Sequence, residues 1–331
     1  MPIILAANQS DTAVAIVLVV ATAVSITIAV VARVLPPRKV SGPPRVPRGR
    51  PAWPLFVVLF WSAGLYVLCG SWYRAYCEQR ASRQAGHEVR LDPFPQTDQQ
   101  TAVLYTLPPL VGLAALLLGD YAVRRTTEHD LGLSPRRLIP GVARGLLGIV
   151  IVLPPLFCLS ELMELFYRAI HYQHPAEHPL LKVLGKRPDP SVAGMIFFGA
   201  WVLAPLWEEL AFRGHVQTLL RRLFSSVGSP ALPSSVIPAS KTTVMPGTVP
   251  PVLEYASPLP LREPTARHTW AAIVCTSLLF ALVHPLWSQP VIFFLALCLG
   301  YAYERTRNLW VPITIHSMFN TFSTLLFLGT R

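Results

Sequence analysis

The chain has 331 residues, 52% of them hydrophobic and only 14% charged, with 28 Lys and Arg against 17 Asp and Glu. A soluble domain carries roughly 25% charged residues, so this composition excludes an ordinary soluble enzyme. The net charge of +11 is what basic membrane loops bring and gives no reason to expect a nucleic-acid partner. The five cysteines (Cys69, Cys77, Cys158, Cys275, Cys298) form no Cys-x-x-Cys pair and read as small apolar packing residues.

The apolar content is organised in runs of about 20 residues, the length a helix needs to cross roughly 30 Å of hydrocarbon. The fold class expected is therefore all-α, a polytopic membrane protein of about eight transmembrane helices whose partner is the lipid bilayer. The first 11 residues lack the basic n-region of a secretory signal, so the first span, about Thr12 to Val34, reads as an uncleaved helix. The second runs from about Trp53 to Tyr73, with Trp53, Trp72 and Tyr73 as interfacial aromatics. The third, about Ala102 to Val123, carries Pro108-Pro109, and the fourth, about Val142 to Tyr167, carries Pro154-Pro155; such prolines kink membrane helices. The fifth starts near Val192 and continues as an amphipathic extension to about Leu223. The sixth (Trp270 to His284) and seventh (Pro290 to Tyr303) are short, as segments lining a cavity can be, and the eighth spans about Pro312 to Leu328.

Connections after odd-numbered spans hold the larger share of Lys and Arg, which places them inside and both termini outside the cytoplasm. Pro36 to Pro54 and Ser225 to Pro264 are Pro-rich and read as linkers. Residues 1–140 then form N-terminal helices with basic loops. Residues 141–331 form a helical core interrupted by a Pro/Ser-rich insertion at 225–264. The location expected is an integral, multi-pass one: the cell membrane in a bacterium, the endoplasmic reticulum in a eukaryote.

Three polar motifs break the apolar runs: Glu208-Glu209-x-x-x-Arg213, Phe280-x-x-x-His284 and His316-x-x-x-Asn320. Ionisable groups cost about 2.5–3.5 kcal/mol each at membrane depth, so they mark function by default. Glu209 and Arg213 are four apart and share a helix face with the acid N-terminal, the better order for an ion pair. Glu208 is left free, and beside a second carboxylate it is suited to take a proton. His284 closes its helix before Pro285. His316 and Asn320 lie one turn apart, and such a pair can donate two hydrogen bonds to an oxyanion, ligate a metal, or simply tie helices together. His215 follows as a supporting residue, whereas Asp120, Glu161, Glu164 and Glu304 read as interfacial or paired acids. Other intramembrane protease patterns fail: His87-Glu88 has Leu91 where a zinc motif needs histidine, no Gly-x-Ser-Gly occurs, and Gly119-Asp120 lacks the upstream glycine of an aspartyl site.

The run Pro205 to Gly214, with Phe280 to His284 and His316 to Asn320, resembles the CAAX protease and bacteriocin-processing (CPBP, Abi-type) family, whose patterns EExxxR, FxxxH and HxxxN it follows in order. The likeness covers roughly Val192 to Leu328. It implies an intramembrane endopeptidase acting on a membrane-associated peptide or protein, either a prenylated CAAX-type C-terminus or a bacteriocin-like peptide. In that family's terms the catalytic residues are Glu208 and His284, which activate water, and His316 and Asn320, which stabilise the oxyanion; Glu209, Arg213 and Phe280 brace the site. No cofactor is required by this scheme, yet a zinc-dependent metalloprotease using Glu208, His284 and His316 is open as well. A non-enzymatic immunity or transporter-like membrane protein is the alternative from another class.

Overall fold

The computed structural model describes residues 19–25, 53–90, 97–127, 132–173, 179–227 and 266–329. The elements used below are α1 (Trp53–Ala85), α2 (Asp98–Thr127), α3 (Leu138–Ala169), α4 (Pro179–Gly185), α5 (Pro190–Phe198), α6 (Ala204–Glu209), α7 (Gln217–Val227), α8 (Ala266–Leu282), α9 (Gln289–Thr306) and α10 (Trp310–Gly329). Two π-helical turns, Gly199–Leu203 and Leu210–Val216, join α5, α6 and α7 into one interrupted rod.

Among the described residues the structure is all-α, and six helical segments are long and apolar enough to cross a membrane: Trp53–Ala85, Asp98–Val123, Pro135–Ala169, Pro190–Ser225, Leu286–Thr306 and Trp310–Gly329. Large apolar side chains such as Phe60, Trp61, Leu118, Leu147 and Leu165 face outward on these helices, a surface that water would not tolerate and hydrocarbon satisfies. The protein is thus an integral, multi-pass membrane protein.

These six segments coincide with the second to fifth, seventh and eighth of the eight expected spans. The sixth corresponds to the apolar helix Ala266–Leu282, 17 residues among the described ones, which ends before the His284 turn and Pro285. The seventh is longer than expected, since Gln289–Thr306 continues the apolar run at both ends. Apart from residues 19–25, which are helical, the first predicted span lies outside the described residues, as does nearly all of the 225–264 insertion and most of the Pro36 to Pro54 linker. Pro108-Pro109 and Pro154-Pro155 sit inside single helices, α2 and α3.

Without a hydrophobic driving force between helices in lipid, close backbone approach must be supplied by small residues. Gly141, Gly145 and Gly148 provide it on α3: a Cβ at Gly145 would run into the Thr314 side chain, and one at Gly148 would come within 2.8 Å of Ile315. The contact seals a core of Ile149, Leu156, Leu295, Leu299, Val311 and Ile315 between α3, α9 and α10. Gly145→Val overpacks this seam, which typically costs about 1–3 kcal/mol. A melting temperature in detergent equal to that of the wild type would refute the assignment.

Polar groups fix the remaining joints. Glu304 on α9 accepts from Arg221 (3.0 Å), Arg307 (2.9 Å) and the Gln217 side-chain amide (3.1 Å), binding α7 to the end of α9. Glu304 is therefore paired and buried. Burial pulls the Arg307 guanidinium down to about 10, with Glu304 opposing the shift. Asn308 opens α10 by accepting from the Trp310 N–H (3.1 Å), and its Nδ2 donates to the Arg137 carbonyl (2.9 Å). At the other face, Asp189 caps α5 through the Ser191 N–H (2.9 Å), which holds its carboxyl below the usual range.

Candidate active site

The interrupted α5–α6–α7 rod owes its shape to Pro205. Proline has no N–H and its ring collides with the carbonyl four residues back, so an α-helix cannot pass through it undisturbed. Here the chain widens one turn earlier: the Ala204 N–H reaches the Gly199 carbonyl, five residues back. A second wide turn follows the acidic pair, where the Gln217 N–H reaches the Phe212 carbonyl. Such π-turns concentrate at functional sites, and here they bracket Glu208 and Glu209. Gly199 lets the first turn press on α2, where a Cβ would meet the Tyr105 carbonyl at 2.9 Å.

Glu209 and Arg213 are both fully buried and form an ion pair, Nη1 to Oε1 at 2.9 Å. The guanidinium also donates to the Ala296 carbonyl (3.3 Å) and lies 4.5 Å from the centre of the Phe280 ring. The same Glu209 Oε1 accepts from His316 Nδ1 at 2.9 Å. With Nδ1 carrying that hydrogen, the other nitrogen, Nε2, faces Glu208 Oε2 at 3.8 Å. Glu208 differs from its neighbour in that its side chain is 21% exposed, so it alone of the two carboxylates opens onto accessible space. Next to it, Trp207 donates to Ser62 (3.1 Å) on α1 and stacks on Tyr66 at 4.6 Å.

Phe280 is buried between the two histidines. Its ring lies 4.9 Å from that of His284 and meets that of His316 edge-on at 5.8 Å. His284 Nδ1 donates to the Phe280 carbonyl at 2.8 Å. A carbonyl only accepts, so the hydrogen sits on Nδ1 and Nε2 presents a lone pair. Asn320 takes a different partner from its helix neighbour: its Nδ2 donates to the Ala200 carbonyl at 2.9 Å.

The structure thus brings Glu208, Glu209, Arg213, Phe280 and His316 into direct contact, reaches His284 through the Phe280 ring, and ties Asn320 to the bulge. Among the described residues no three His, Cys, Asp or Glu side chains converge as a metal-ion site. Glu208, His284 and His316 are accordingly not gathered into such a group in this arrangement. His215 and Asp120 form a second buried polar pair beside this cluster. His215 Nε2 and Asp120 Oδ1 are 3.0 Å apart, and His215 Nδ1 faces the Leu210 carbonyl at 3.0 Å. This buried link anchors the second wide turn to α2; the only signal in the sequence was a histidine two places after Arg213.

Residues 258–322 match the family model for type II CAAX prenyl endopeptidase Rce1-like proteins. The chain carries an Rce1-like segment. That segment contains Phe280, His284, His316 and Asn320, while Glu208, Glu209 and Arg213 precede it. It bears out the family resemblance read from the motifs and supports a CAAX-type intramembrane protease in general. No curated protein and no solved structure matches the chain.

Proposed function

We propose that the chain is an intramembrane endopeptidase that hydrolyses a peptide bond of a membrane-tethered substrate with water activated by Glu208. The observation that carries this reading is the pairing of a partly open carboxylate, Glu208, with the free nitrogen of His316 at 3.8 Å, while the buried Glu209 holds the opposite side of the imidazole. A gap of 3.8 Å is too long for a direct hydrogen bond. A water set beside that line touches both groups at about 2.8 Å.

Glu208 takes a proton from this water as its oxygen attacks the carbonyl carbon, and the C–O bond forms as the carbonyl oxygen becomes an oxyanion. His316, hydrogen-bonded to Glu209 through Nδ1, donates to that oxyanion when Nε2 also carries a hydrogen; Glu209 then neutralises the ring. The Asn320 amide hydrogen not given to Ala200 is a second donor. His284, with its Nε2 lone pair exposed by the Phe280 hydrogen bond, assists in holding and deprotonating the water. As the tetrahedral species collapses, the C–N bond breaks and Glu208 passes its proton to the leaving amine. Arg213 keeps Glu209 ionised and in place, so Glu209 and Arg213 position groups rather than react. A buried, preorganised donor set of this kind contributes most because it needs no reorganisation during the reaction.

The substrate class that fits best is a prenylated CAAX-type C-terminus, since lipidation delivers a peptide to a site lined by spanning helices. The test is a purified protein in liposomes offered farnesylated, geranylgeranylated and unlipidated CAAX peptides together with a bacteriocin-like leader peptide, with products read by mass spectrometry. Cleavage of the prenylated peptides at one bond is the expected result. Cleavage of the leader alone would reassign the substrate, and no cleavage of any peptide would overturn the protease reading.

A further inference from the structure

The first wide turn leaves one carbonyl without a backbone donor. In an α-helix the Ala200 carbonyl would accept from the Ala204 N–H, but that N–H bonds to Gly199 instead. In a continued π-turn the donor would be residue 205, and Pro205 has no N–H. Hydrocarbon offers an unpaired backbone carbonyl no donor, so a side chain must supply one. The group it finds is the amide of Asn320, 120 residues away in sequence, at 2.9 Å.

We propose that Asn320, beyond the amide hydrogen it offers the oxyanion, has a positioning role: it completes the hydrogen bonding of the bulge at Ala200 and thereby fixes the rotation of α6, on which Glu208 and Glu209 ride. A turn with one residue more than the α-helical count rotates everything after it, so the register of this bulge decides which carboxylate faces His316. Gly199 against Tyr105 and Asn320 against Ala200 hold the bulge from two sides. Pro205 is the other half of the device, because it removes the donor that would let the helix close on itself. The link to catalysis rests on Glu208 being the base, whereas the hydrogen bond and its effect on stability do not.

The test is a double-mutant cycle of wild type, Asn320→Ala, Pro205→Ala and the double variant, measured in detergent for thermal unfolding and in liposomes for kcat and KM. Removing Asn320 lowers the melting temperature by several degrees and lowers kcat by about 10²-fold, the scale of a misplaced catalytic group, with KM changed less than about 2-fold. Pro205→Ala returns an N–H to the segment, which can serve Ala200. The double variant is therefore expected to recover most of the lost melting temperature and part of the lost kcat. Strictly additive effects on unfolding would overturn the hydrogen bond. Recovered stability with no recovery of kcat would overturn positioning as the role of Asn320 in catalysis.

Asn320→Leu supplies a second arm that keeps roughly the size of the side chain and removes the donor. It is expected to unfold as early as Asn320→Ala, and a Leu variant as stable as wild type would overturn the proposal even if Pro205→Ala does not fold. Should Glu208→Gln retain full activity, the base assignment fails, yet the unfolding cycle still reports on the Ala200 hydrogen bond by itself.

Discussion

Glu208→Gln is expected to lower kcat on a cleavable peptide by about 10² to 10⁴-fold while leaving the fold intact, the range a positioned general base contributes. Glutamine keeps the shape and one acceptor oxygen of the carboxylate but cannot take a proton at neutral pH, so the loss isolates proton transfer from packing. Its side chain is partly exposed and makes no ion pair as short as that of Glu209 with Arg213, which is why stability should be little affected. Glu209→Gln behaves differently, because it removes the charge that pairs with Arg213 and holds His316. Measured side by side, the two variants separate the acid that reacts from the acid that positions. Equal turnover by Glu208→Gln and wild type would end the assignment of Glu208 as base.

The second large effect is on stability. Arg213→Leu deletes the guanidinium that neutralises Glu209, donates to the Ala296 carbonyl and packs on the Phe280 ring. What remains is a fully buried carboxylate without its strong cation, and breaking a buried pair from one side costs about 3–5 kcal/mol. The double variant Glu209→Gln with Arg213→Leu removes both charges and should be less destabilised than Arg213→Leu alone, since a neutral amide still accepts from His316 and leaves no buried charge behind. Thermal unfolding in detergent gives the comparison. A double variant as unstable as the single one would mean that the arginine acts mainly by packing.

The match to the Rce1-like model covers the two histidine motifs, and the acidic motif lies upstream of it. The contact that joins them is therefore structural: Glu209, from one segment, and His316, from the other, share a hydrogen bond across 107 residues. The approach of α6 to α10 is shaped by Pro205 and by the small residues of the helix seams. The long insertion between α7 and α8 does not prevent it.

Much of this was legible in the sequence because a bilayer imposes a strong rule: apolar runs of spanning length must be helices, and ionisable residues within them must have a reason to be there. That rule selected Glu208, Glu209, Arg213, His284 and His316, and the i, i+4 spacing already paired Glu209 with Arg213. Among the described residues it matches six candidate crossings, and Ala266–Leu282 is apolar but shorter than those six. Spacing could not foresee that His316 and Asn320, one turn apart, would take separate partners. Which carbonyl Asn320 serves depends on the local register of a bulged helix, and that register is set by Pro205, by Gly199 against α2 and by α10 arriving from the far end of the chain. The pairing of His215 with Asp120 and the Glu304 cluster are of the same kind. Hydropathy is a property of a segment and can be read from it, whereas the partner of a buried polar group is a property of two segments and exists only after they have packed.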